Sequence, residues 1–463
     1  MIVASFLTKL SRFVVCLGLS VLLLSHSLSA QQNDFFNPVD VDVDANSNNE
    51  PFSLIGWVTQ EVAKGLESPG VNFSRQDNDF TKVETALFAQ FDARLNEGTN
   101  FRFSAQTFHD QVYRIEDDID FSRAESRELR NRFQLKDFYV ERDYGNGLYF
   151  KVGNQIIAWG MSEYLRVTDL VNTEQLYRVA QQDLEDLRNQ VPAALLTYSS
   201  GDWVFDGVLT YAAGANDISP EGDDFDPFIV DRSLGHLVDE VDADTEHEMF
   251  FRASSRYSQG DMQFVIAEFN DNELTVTEMA ALRSVNPQIR YTQNRMRAVG
   301  MAANWVEGDW LLFGELGLHK DKAVRPSADA FFARTAGWDQ KDQVLSVAGI
   351  EYSGYRNLLL TLELNNIRTR DHDQFMYWDE NVTSFGLRAY WTAMNERLQL
   401  LGVWNELADD AGEVGRLSVN YNYSDNLDLG LLWVEYASDD DSILYEYRNN
   451  DVLQLQLRYN FQL

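Results

Sequence analysis

Residues 82–95, KVETALFAQFDARL, decide the fold because polar and apolar side chains alternate along them without a break. The odd-numbered positions carry apolar or small side chains, and the even-numbered positions are mostly charged or polar. Successive side chains of a β-strand point to opposite faces, so a strand made from this stretch has one apolar face and one wet face. The stretch therefore predicts a strand whose apolar face is covered by something other than water.

The same alternation returns along the chain, for example at residues 249–257, 358–364, 417–423 and 453–463. Counting such segments gives 18 strands, joined by eight short turns that alternate with nine long loops. A barrel of 16 strands is the alternative count, because the segment near residues 192–199 is short and the region 270–295 is ambiguous. Two segments are counted as single long strands, residues 147–159 and residues 290–307. The pattern predicts an all-β protein.

A soluble β-sandwich would also alternate, but three features favour a transmembrane antiparallel up-and-down β-barrel. The segments are about 10–14 residues long, and about ten residues of a tilted strand cover the ~25 Å apolar band of an outer membrane. The regular change from short turn to long loop is typical of tight periplasmic turns and extended external loops. The chain also ends on an amphipathic strand with aromatic residues near its end. We expect both termini on the periplasmic side.

Residues 1–30 have the features of a cleavable export signal. Lys9 and Arg12 precede an apolar run over residues 13–24, and small residues lead up to Ala30. A run of about 12 residues is too short to cross a bilayer as a helix. The single cysteine, Cys16, lies inside this run, so the exported chain has no disulfide. Residues 31–50 read as a flexible acidic lead, and residues 51–463 as the barrel.

The net charge of −35 at pH 7 argues against nucleic acid as a partner. The external loops are the most acidic part, since residues 213–248 contain twelve Asp or Glu and one Arg. Residues 437–446 add a further group that includes Asp439, Asp440 and Asp441. Such groups suit Ca²⁺ or Mg²⁺, and the alternative, which is the commoner case, is a solvated acidic surface. No other cofactor and no metal ligand set is expected.

The long loop at residues 160–191 stands out because apolar residues recur in it at spacings of three and four, which predicts a helix. An apolar stripe needs a surface to pack against, so we expect the loop inside the barrel lumen; the alternative is an external helix that caps the barrel. Inside the lumen its charged residues would line a constriction. These residues are Glu163, Arg166, Asp169, Glu174, Arg178, Asp183 and Arg188.

The sequence that enters this loop carries a family resemblance. GNQIIAWG at residues 153–160, followed by TDLVN at residues 168–172, resembles a signature of porin-like Gram-negative outer-membrane barrels of unknown function, and alginate-export-type barrels have a comparable segment. Asn154 and Thr173 depart from it, where the family has arginine and proline. The resemblance implies an inward-folded third external loop, fixed to the wall by Gly153, Gln155, Trp159, Gly160, Asp169 and Asn172.

Charged residues of both signs fall on the wet faces of the predicted strands. The candidates for the lumen wall are Arg94, Arg102, Lys151, Arg252, Arg256 and Glu315. Facing rows of opposite charge create a transverse field in a water-filled pore. A wall that is merely wetted is the alternative for each residue. The wall as a whole is predicted to be polar.

An enzyme is not expected. The five histidines after residue 30 are scattered among different hairpins, and the chain has no Gly-x-Ser-x-Gly motif and no Cys/His metal spacing. The sequence instead indicates an outer-membrane, porin-like channel for small hydrophilic solutes. The alternative is a non-conducting barrel with a structural, assembly or export role. The expected partners are outer-membrane lipid, lipopolysaccharide, the barrel-assembly machinery and a small-molecule solute.

Overall fold

The computed structural model describes residues 51–68, 79–116, 119–182, 187–211, 214–233, 235–241, 247–280, 288–325, 339–374, 376–407, 412–438 and 443–463. The predicted export signal, the acidic lead, Asp183 and the run Asp439 to Asp441 lie outside these residues. Strands account for most of the described chain. They are β1 (Phe52–Gly65), β2 (Phe80–Asn96), β3 (Thr99–Asp110), β4 (Asn131–Asp143), β5 (Leu148–Gln155), β6 (Val191–Ser200), β7 (Trp203–Tyr211), β8 (Leu237–Val241), β9 (His247–Tyr257), β10 (Gly260–Asn270), β11 (Thr275–Ala280), β12 (Gln288–Thr292), β13 (Arg295–Glu307), β14 (Trp310–Val324), β15 (Asp339–Tyr355), β16 (Leu358–Thr369), β17 (Asn381–Ala393), β18 (Leu398–Leu407), β19 (Gly412–Ser424), β20 (Leu427–Ala437) and β21 (Val452–Gln462).

Eighteen of these strands form one closed antiparallel barrel, as the alternating sequence predicts. Each strand pairs with the next one of the barrel, and β1 also pairs with β21 over Ile55–Gly65, which closes the ring. Closure leaves no unpaired edge, so every strand can satisfy its backbone hydrogen bonds on both sides. The prediction of 18 strands is confirmed, and the count of 16 is wrong.

The two faces of the wall differ as the alternation requires. On β14, Leu312 and Leu316 point outward and are each 48% exposed, whereas Phe313 and Glu315 point inward and are buried. On β21, the outward Leu455 is 59% exposed. Large apolar side chains on the outside of a closed barrel match the apolar band of a barrel that sits in lipid.

Tight turns connect the strands at one end of the barrel. Gly147 ends the turn before β5 with a positive φ of 78°, and a Cβ atom there would lie 2.3 Å from the Ser199 carbonyl oxygen. Only glycine tolerates both conditions. The long connections all leave from the opposite end, so the predicted separation of short turns and long loops is present in the structure.

Two predicted strand boundaries are wrong. The segment predicted over residues 147–159 stops being a strand at Gln155, and the chain then turns into the barrel. The segment predicted over residues 290–307 is divided, because β12 leaves the barrel and joins a separate sheet of three strands with β8 and β11. Ile289 and Tyr291 of β12 and Val276 of β11 pack against Phe228, and the strands of this small sheet come from two different long connections.

The interior of the barrel contains two apolar clusters, which the prediction of a polar wall did not include. The larger cluster joins inward side chains of β6, β7, β9, β10 and β13 to the segment that follows β5, including Trp159, Leu170 and Val171. The second cluster joins β1, β19, β20 and β21 to Phe225. Each cluster covers an arc of the wall with packed side chains instead of water.

Within the part of the chain that the structure describes, helical structure is limited to short pieces in the long connections. They are α1 (Val112–Ile115), α2 (Arg123–Leu129), α3 (Ile229–Ser233) and a 3₁₀ helix (Ile443–Tyr447). Ser122 caps α2, since its hydroxyl accepts a hydrogen bond from the Glu125 N–H at 2.9 Å. Among the described residues, no helix has the length and apolar character needed to cross a membrane.

Candidate functional site

The connection between β5 and β6, residues 156–190, is named the inner loop. Asn172, which is fully buried, holds its base. The Asn172 side-chain oxygen accepts a hydrogen bond from the Ile157 N–H at 2.7 Å, and its amide nitrogen donates to the carbonyls of Gln155 at 3.2 Å and Asn189 at 2.7 Å. One side chain therefore links the entry and the exit of the loop.

The other residues of the resemblance motif lie around the same point. Gly153 has a φ of 135°, and a Cβ atom there would be 2.0 Å from the Phe138 carbonyl oxygen. The Gln155 amide donates to the Ala193 carbonyl at 2.9 Å, which ties β5 to β6. A Cβ atom on Gly160 would lie 2.7 Å from the Cβ of Asp169. The strand thus ends where the chain must turn sharply inward.

Asp169 is the electrostatic centre of the loop. Its side chain is 2% exposed, yet it meets Arg188 at 2.8 Å and Arg166 at 3.5 Å, and it accepts a hydrogen bond from the Trp159 N–H at 3.1 Å. Burial alone would raise the pKa of Asp169, but the two guanidinium groups and the hydrogen bonds hold that pKa below its ordinary value. Asp169 is therefore an anion that ties together both halves of the loop.

The loop then reaches the inward face of β14. The Glu315 carboxylate accepts hydrogen bonds from the N–H groups of Ser162 at 2.8 Å and Thr168 at 3.1 Å, and from the Thr168 hydroxyl at 2.7 Å. It also accepts the Met161 N–H. Glu315, predicted as a lumen-wall residue, is 4% exposed and binds the loop.

Glycines on three wall strands make room for the loop. A Cβ atom would lie 2.9 Å from Thr168 at Gly300, 2.7 Å from Val167 at Gly317 and 2.3 Å from the Tyr164 ring at Gly386. These glycines have no side chain where the alternation would point one into the lumen. The backbone of the wall and the loop therefore approach closely on β13, β14 and β17.

The contact with β17 extends across the barrel. The Arg388 guanidinium meets the Glu163 carboxylate at 2.6 Å. In the ring of 18 strands, eight strands separate β5, where the loop starts, from β17 in either direction. Glu163 therefore pairs with the strand diametrically opposite the loop's own origin.

The later part of the loop contacts further strands. The Arg178 guanidinium lies 3.4 Å from the Asp110 carboxylate at the end of β3. Arg416 on β19 donates to the carbonyl oxygens of Ala180, at 3.4 Å, and Gln182. Burial acts to lower the pKa of Arg178, but the surrounding carboxylates, Asp110 first among them, raise it overall. The Arg178–Asp110 ion pair and the hydrogen bonds of Arg416 both join the loop to the wall.

The seven residues predicted for a constriction thus have distinct surroundings. Arg166 lies 3.7 Å from Glu174 in addition to its contact with Asp169. Side chains of Glu163, Glu174 and Arg188 remain 38%, 29% and 33% exposed, which makes them the members open to solvent. Asp183 falls outside the described residues. Arg166, Asp169, Glu174 and Arg188 form one network within the loop, whereas Glu163 and Arg178 each pair with a residue of the wall.

The predicted wall residues divide into paired and open groups. Arg102 meets Asp92 at 2.7 Å, and Arg252 meets Asp206 at 2.6 Å. Lys151 lies 3.8 Å from the centre of the Tyr139 ring, and Arg252 lies 5.1 Å from that of Trp159. Arg256, near the tight turns, is 75% exposed and meets Asp261 at 3.4 Å, and Arg94 is also exposed.

The predicted helix in the loop is absent from residues 160–182 and 187–191. The loop N–H groups bind carboxylate and amide oxygens of Glu315, Asp169 and Asn172, so they are not available for helical hydrogen bonds. Arg178 and Ala180 have positive φ values of 50° and 64°. Of the apolar residues that suggested a helix, Leu170 and Ala180 pack against the apolar clusters of the wall, whereas Val179 is 37% exposed.

Among the wall residues that receive the loop, sequence reasoning placed Glu363 on the lumen face but missed Gln263. Gln263 donates to the Thr168 hydroxyl at 3.1 Å and to the Trp159 carbonyl, and the Ser162 hydroxyl donates to Glu363. A signal was present in β10, where residues 264–267, FVIA, are apolar on both faces. Such a run is typical of a strand that is covered on both sides.

Metal binding has no support within the described ranges, where no group of three or more His, Cys, Asp or Glu side chains is arranged to hold an ion. Part of each acidic external loop, including residues 242–246 and 439–442, lies outside those ranges. Asp226, which is fully buried in one of these loops, is paired with Arg232 and accepts the Phe228 N–H at 2.9 Å. At least this acidic residue supports the loop fold.

Two solved structures share the fold. A BenF-like porin from Pseudomonas fluorescens Pf-5 is 12% identical, with a TM-score of 0.51, and the match covers 89% of this chain and 99% of that chain. OccK9 (OpdG) from Pseudomonas aeruginosa is also 12% identical with a TM-score of 0.51, covering 89% of this chain and 98% of its own. At this identity the likeness concerns the barrel architecture alone.

No curated protein matches the sequence. The family described as "Protein of unknown function (DUF1302)" matches residues 12–461, which is nearly the whole chain. The resemblance seen at the entry to the inner loop therefore extends over the barrel, and the chain belongs to this family of unknown function.

Proposed function

We propose that the protein is a channel-like barrel of a Gram-negative outer membrane, through which small hydrophilic solutes pass. The closed ring with an apolar outer face supports a membrane location. The fold shared with a protein named as a BenF-like porin supports a channel. The proposal includes contact with outer-membrane lipid and lipopolysaccharide, insertion by the barrel-assembly machinery, and no catalytic step.

One observation carries the proposal most strongly: the pair between Glu163 and Arg388. This pair joins the inner loop to the strand opposite its origin. A loop that is attached both to β5 and to the opposite strand β17 crosses the lumen and narrows it. Exposed charges of Glu163, Glu174 and Arg188 would then meet a passing solute, and opposite charges at a narrow point select among solutes by charge.

Single-channel recording in planar bilayers tests the proposal. The wild-type protein should give stable current steps, and deletion of residues 163–188 should increase the conductance of each step, because it removes the narrowing segment. The matched control is Arg256→Gln, which changes an exposed charge near the tight turns and leaves the loop contacts intact. An unchanged conductance after the deletion would contradict a constriction by the inner loop.

A non-conducting barrel with a structural, assembly or export role is the second candidate. The observation that favours it is the filling of two arcs of the interior by apolar clusters, with Phe225 packed 5.7 Å from the Tyr436 ring and 5.4 Å from the Tyr447 ring. Silence of the wild-type protein in bilayers at high protein load, with folded protein verified by gel mobility, would select this candidate over the channel.

A further inference from the structure

A cavity of about 530 Å³ remains between the inner loop and β4, on the side of the loop away from Arg388. Its walls come from β4, from two parts of the inner loop and from residues 214–218 of the next long connection. The volume lies within the range of roughly 300–1,000 Å³ that is usual for small-molecule sites. The two apolar clusters fill the interior beside other strands, whereas this cavity is an unfilled part of the lumen with mostly polar side chains around it.

The frame of the cavity is held by backbone pairing. Asp217 exchanges hydrogen bonds with the loop: its N–H donates to the Glu174 carbonyl at 2.8 Å, and its carbonyl accepts the Leu176 N–H at 2.7 Å. The Asn189 amide donates to the Asp217 carboxylate at 3.0 Å, and the Asn216 oxygen accepts the Glu174 N–H at 2.8 Å. A cavity with such a frame is formed before any ligand enters it.

The lining is rich in groups that both donate and accept hydrogen bonds. Amide and hydroxyl side chains are contributed by Gln134, Thr173, Tyr177, Asn189, Gln190 and Asn216. The charged members are Lys136, Asp217 and Glu240, so neither sign dominates strongly. The buried Gln134 oxygen receives no hydrogen bond from the described residues, although an unmet buried acceptor is costly.

We propose that this cavity binds a small uncharged solute with several hydroxyl groups, of the size of a monosaccharide, and that Gln134 accepts a hydrogen bond from it. Asp217 and Glu240 oppose a carboxylate ligand, and the buried Lys136 opposes a cation. Hydroxyl groups match a lining that offers both donors and acceptors. The inference deepens the proposed channel function. Passage of the solute through the barrel rests on that proposed function, whereas binding in the cavity does not require an open channel.

Saturation-transfer NMR on the protein in detergent micelles tests the binding, with glucose, gluconate and glucosamine as probes of equal size and different charge. Glucose should bind most tightly. Gln134→Leu should weaken glucose binding roughly threefold to tenfold, the loss expected for one hydrogen bond. The control is Gln399→Leu, which changes an inward amide on β18, outside the cavity lining. Heat-shifted gel mobility verifies that both variants are folded.

The inference is overturned if glucose gives no transfer signal, if gluconate or glucosamine binds more tightly than glucose, or if Gln134→Leu and Gln399→Leu behave alike. Failure of the channel function is a separate result, read from the bilayer currents. A protein that binds glucose in micelles and conducts no current would retain the site and lose the proposed channel.

Discussion

At the scale of single residues, the inner loop depends on buried polar side chains that bind backbone groups. Asn172 is fully buried and satisfies one N–H and two carbonyl groups, and Glu315 satisfies three loop N–H groups. Buried backbone groups without partners are strongly unfavourable, so each of these side chains replaces the secondary structure that the loop lacks. The sequence indicated Asn172 only through the resemblance motif. Its hydrogen-bond partners are backbone groups of Gln155, Ile157 and Asn189, and no residue periodicity shows that these groups lie close to Asn172.

Replacing Asn172 with alanine should destabilise the barrel. The variant leaves the Ile157 N–H and two buried carbonyl groups without partners, and the expected loss is about 2–4 kcal/mol in the free energy of unfolding. Urea unfolding in micelles measures it. Asn131→Ala is the control, since it removes an exposed amide whose one side-chain partner is His109, and it should change stability by less than about 0.5 kcal/mol. Equal losses in both variants would refute the anchoring role of Asn172.

Asp451 gives the barrel a pH dependence. It lies just before β21, where burial and the neighbouring Glu435 and Glu67 raise its pKa to about 6, against the opposing hydrogen bond from the Tyr436 N–H at 2.8 Å. An unfolded aspartate ionises near pH ~3.9. The folded state therefore binds this proton more tightly, and the contribution of Asp451 to stability increases as the pH falls through about 6 and is fully present only below the unfolded value of ~3.9.

Asp451→Asn should remove that dependence, because the amide oxygen can still accept the Tyr436 N–H and carries no charge. The melting temperature of the variant should exceed that of the wild type at pH 8, the difference should narrow as the pH falls through about 6, and the two should converge below pH ~4. Heat-induced gel mobility shifts at several pH values provide the measurement. A wild-type advantage at pH 8 would contradict the raised pKa.

At the scale of elements, strands and loop obey different rules. Alternation determines which face of β2 or β14 points outward. The sequence showed this because every second side chain of a strand faces lipid and must be apolar, while the side chains between them face the lumen. The inner loop has no such period. Its conformation is set by Glu315 and by Gly300, Gly317 and Gly386, which lie more than 100 residues later in the chain.

Gly317→Val should displace the inner loop from β14. The added side chain would enter the space of Val167, whose nearest atom lies 2.7 Å from the ideal Cβ position. We expect larger current fluctuations and faster proteolysis of the loop than in the wild type. Gly207→Val is the matched control, because no atom lies within 4 Å of the Cβ position on that strand. Identical protease digestion patterns for the two variants would show that close packing at Gly317 is unimportant.

At the scale of the whole molecule, the sequence was sufficient for the 18 strands, their direction and the separation of short turns from long loops. It was insufficient for the interior. The apolar clusters and the small sheet of β8, β11 and β12 arise from contacts between segments that are distant in the chain. The periodicity of residues along one strand does not predict such contacts. The candidate cavity is a further product of those contacts, so it could be found only in three dimensions.

The seam between β1 and β21 has a consequence for the order of assembly. The two paired segments are separated by almost the entire chain, so the ring cannot shut until the last strand has been delivered. Bringing such distant ends together carries the largest loop-closure entropy in the molecule, and contacts of long sequence separation form slowly. The inner loop meanwhile binds β14, β17 and β19, all of which are synthesised after it. An open, curved sheet with the inner loop already docked on its concave side is therefore the intermediate that the topology favours, with closure of the seam as the final, slow step.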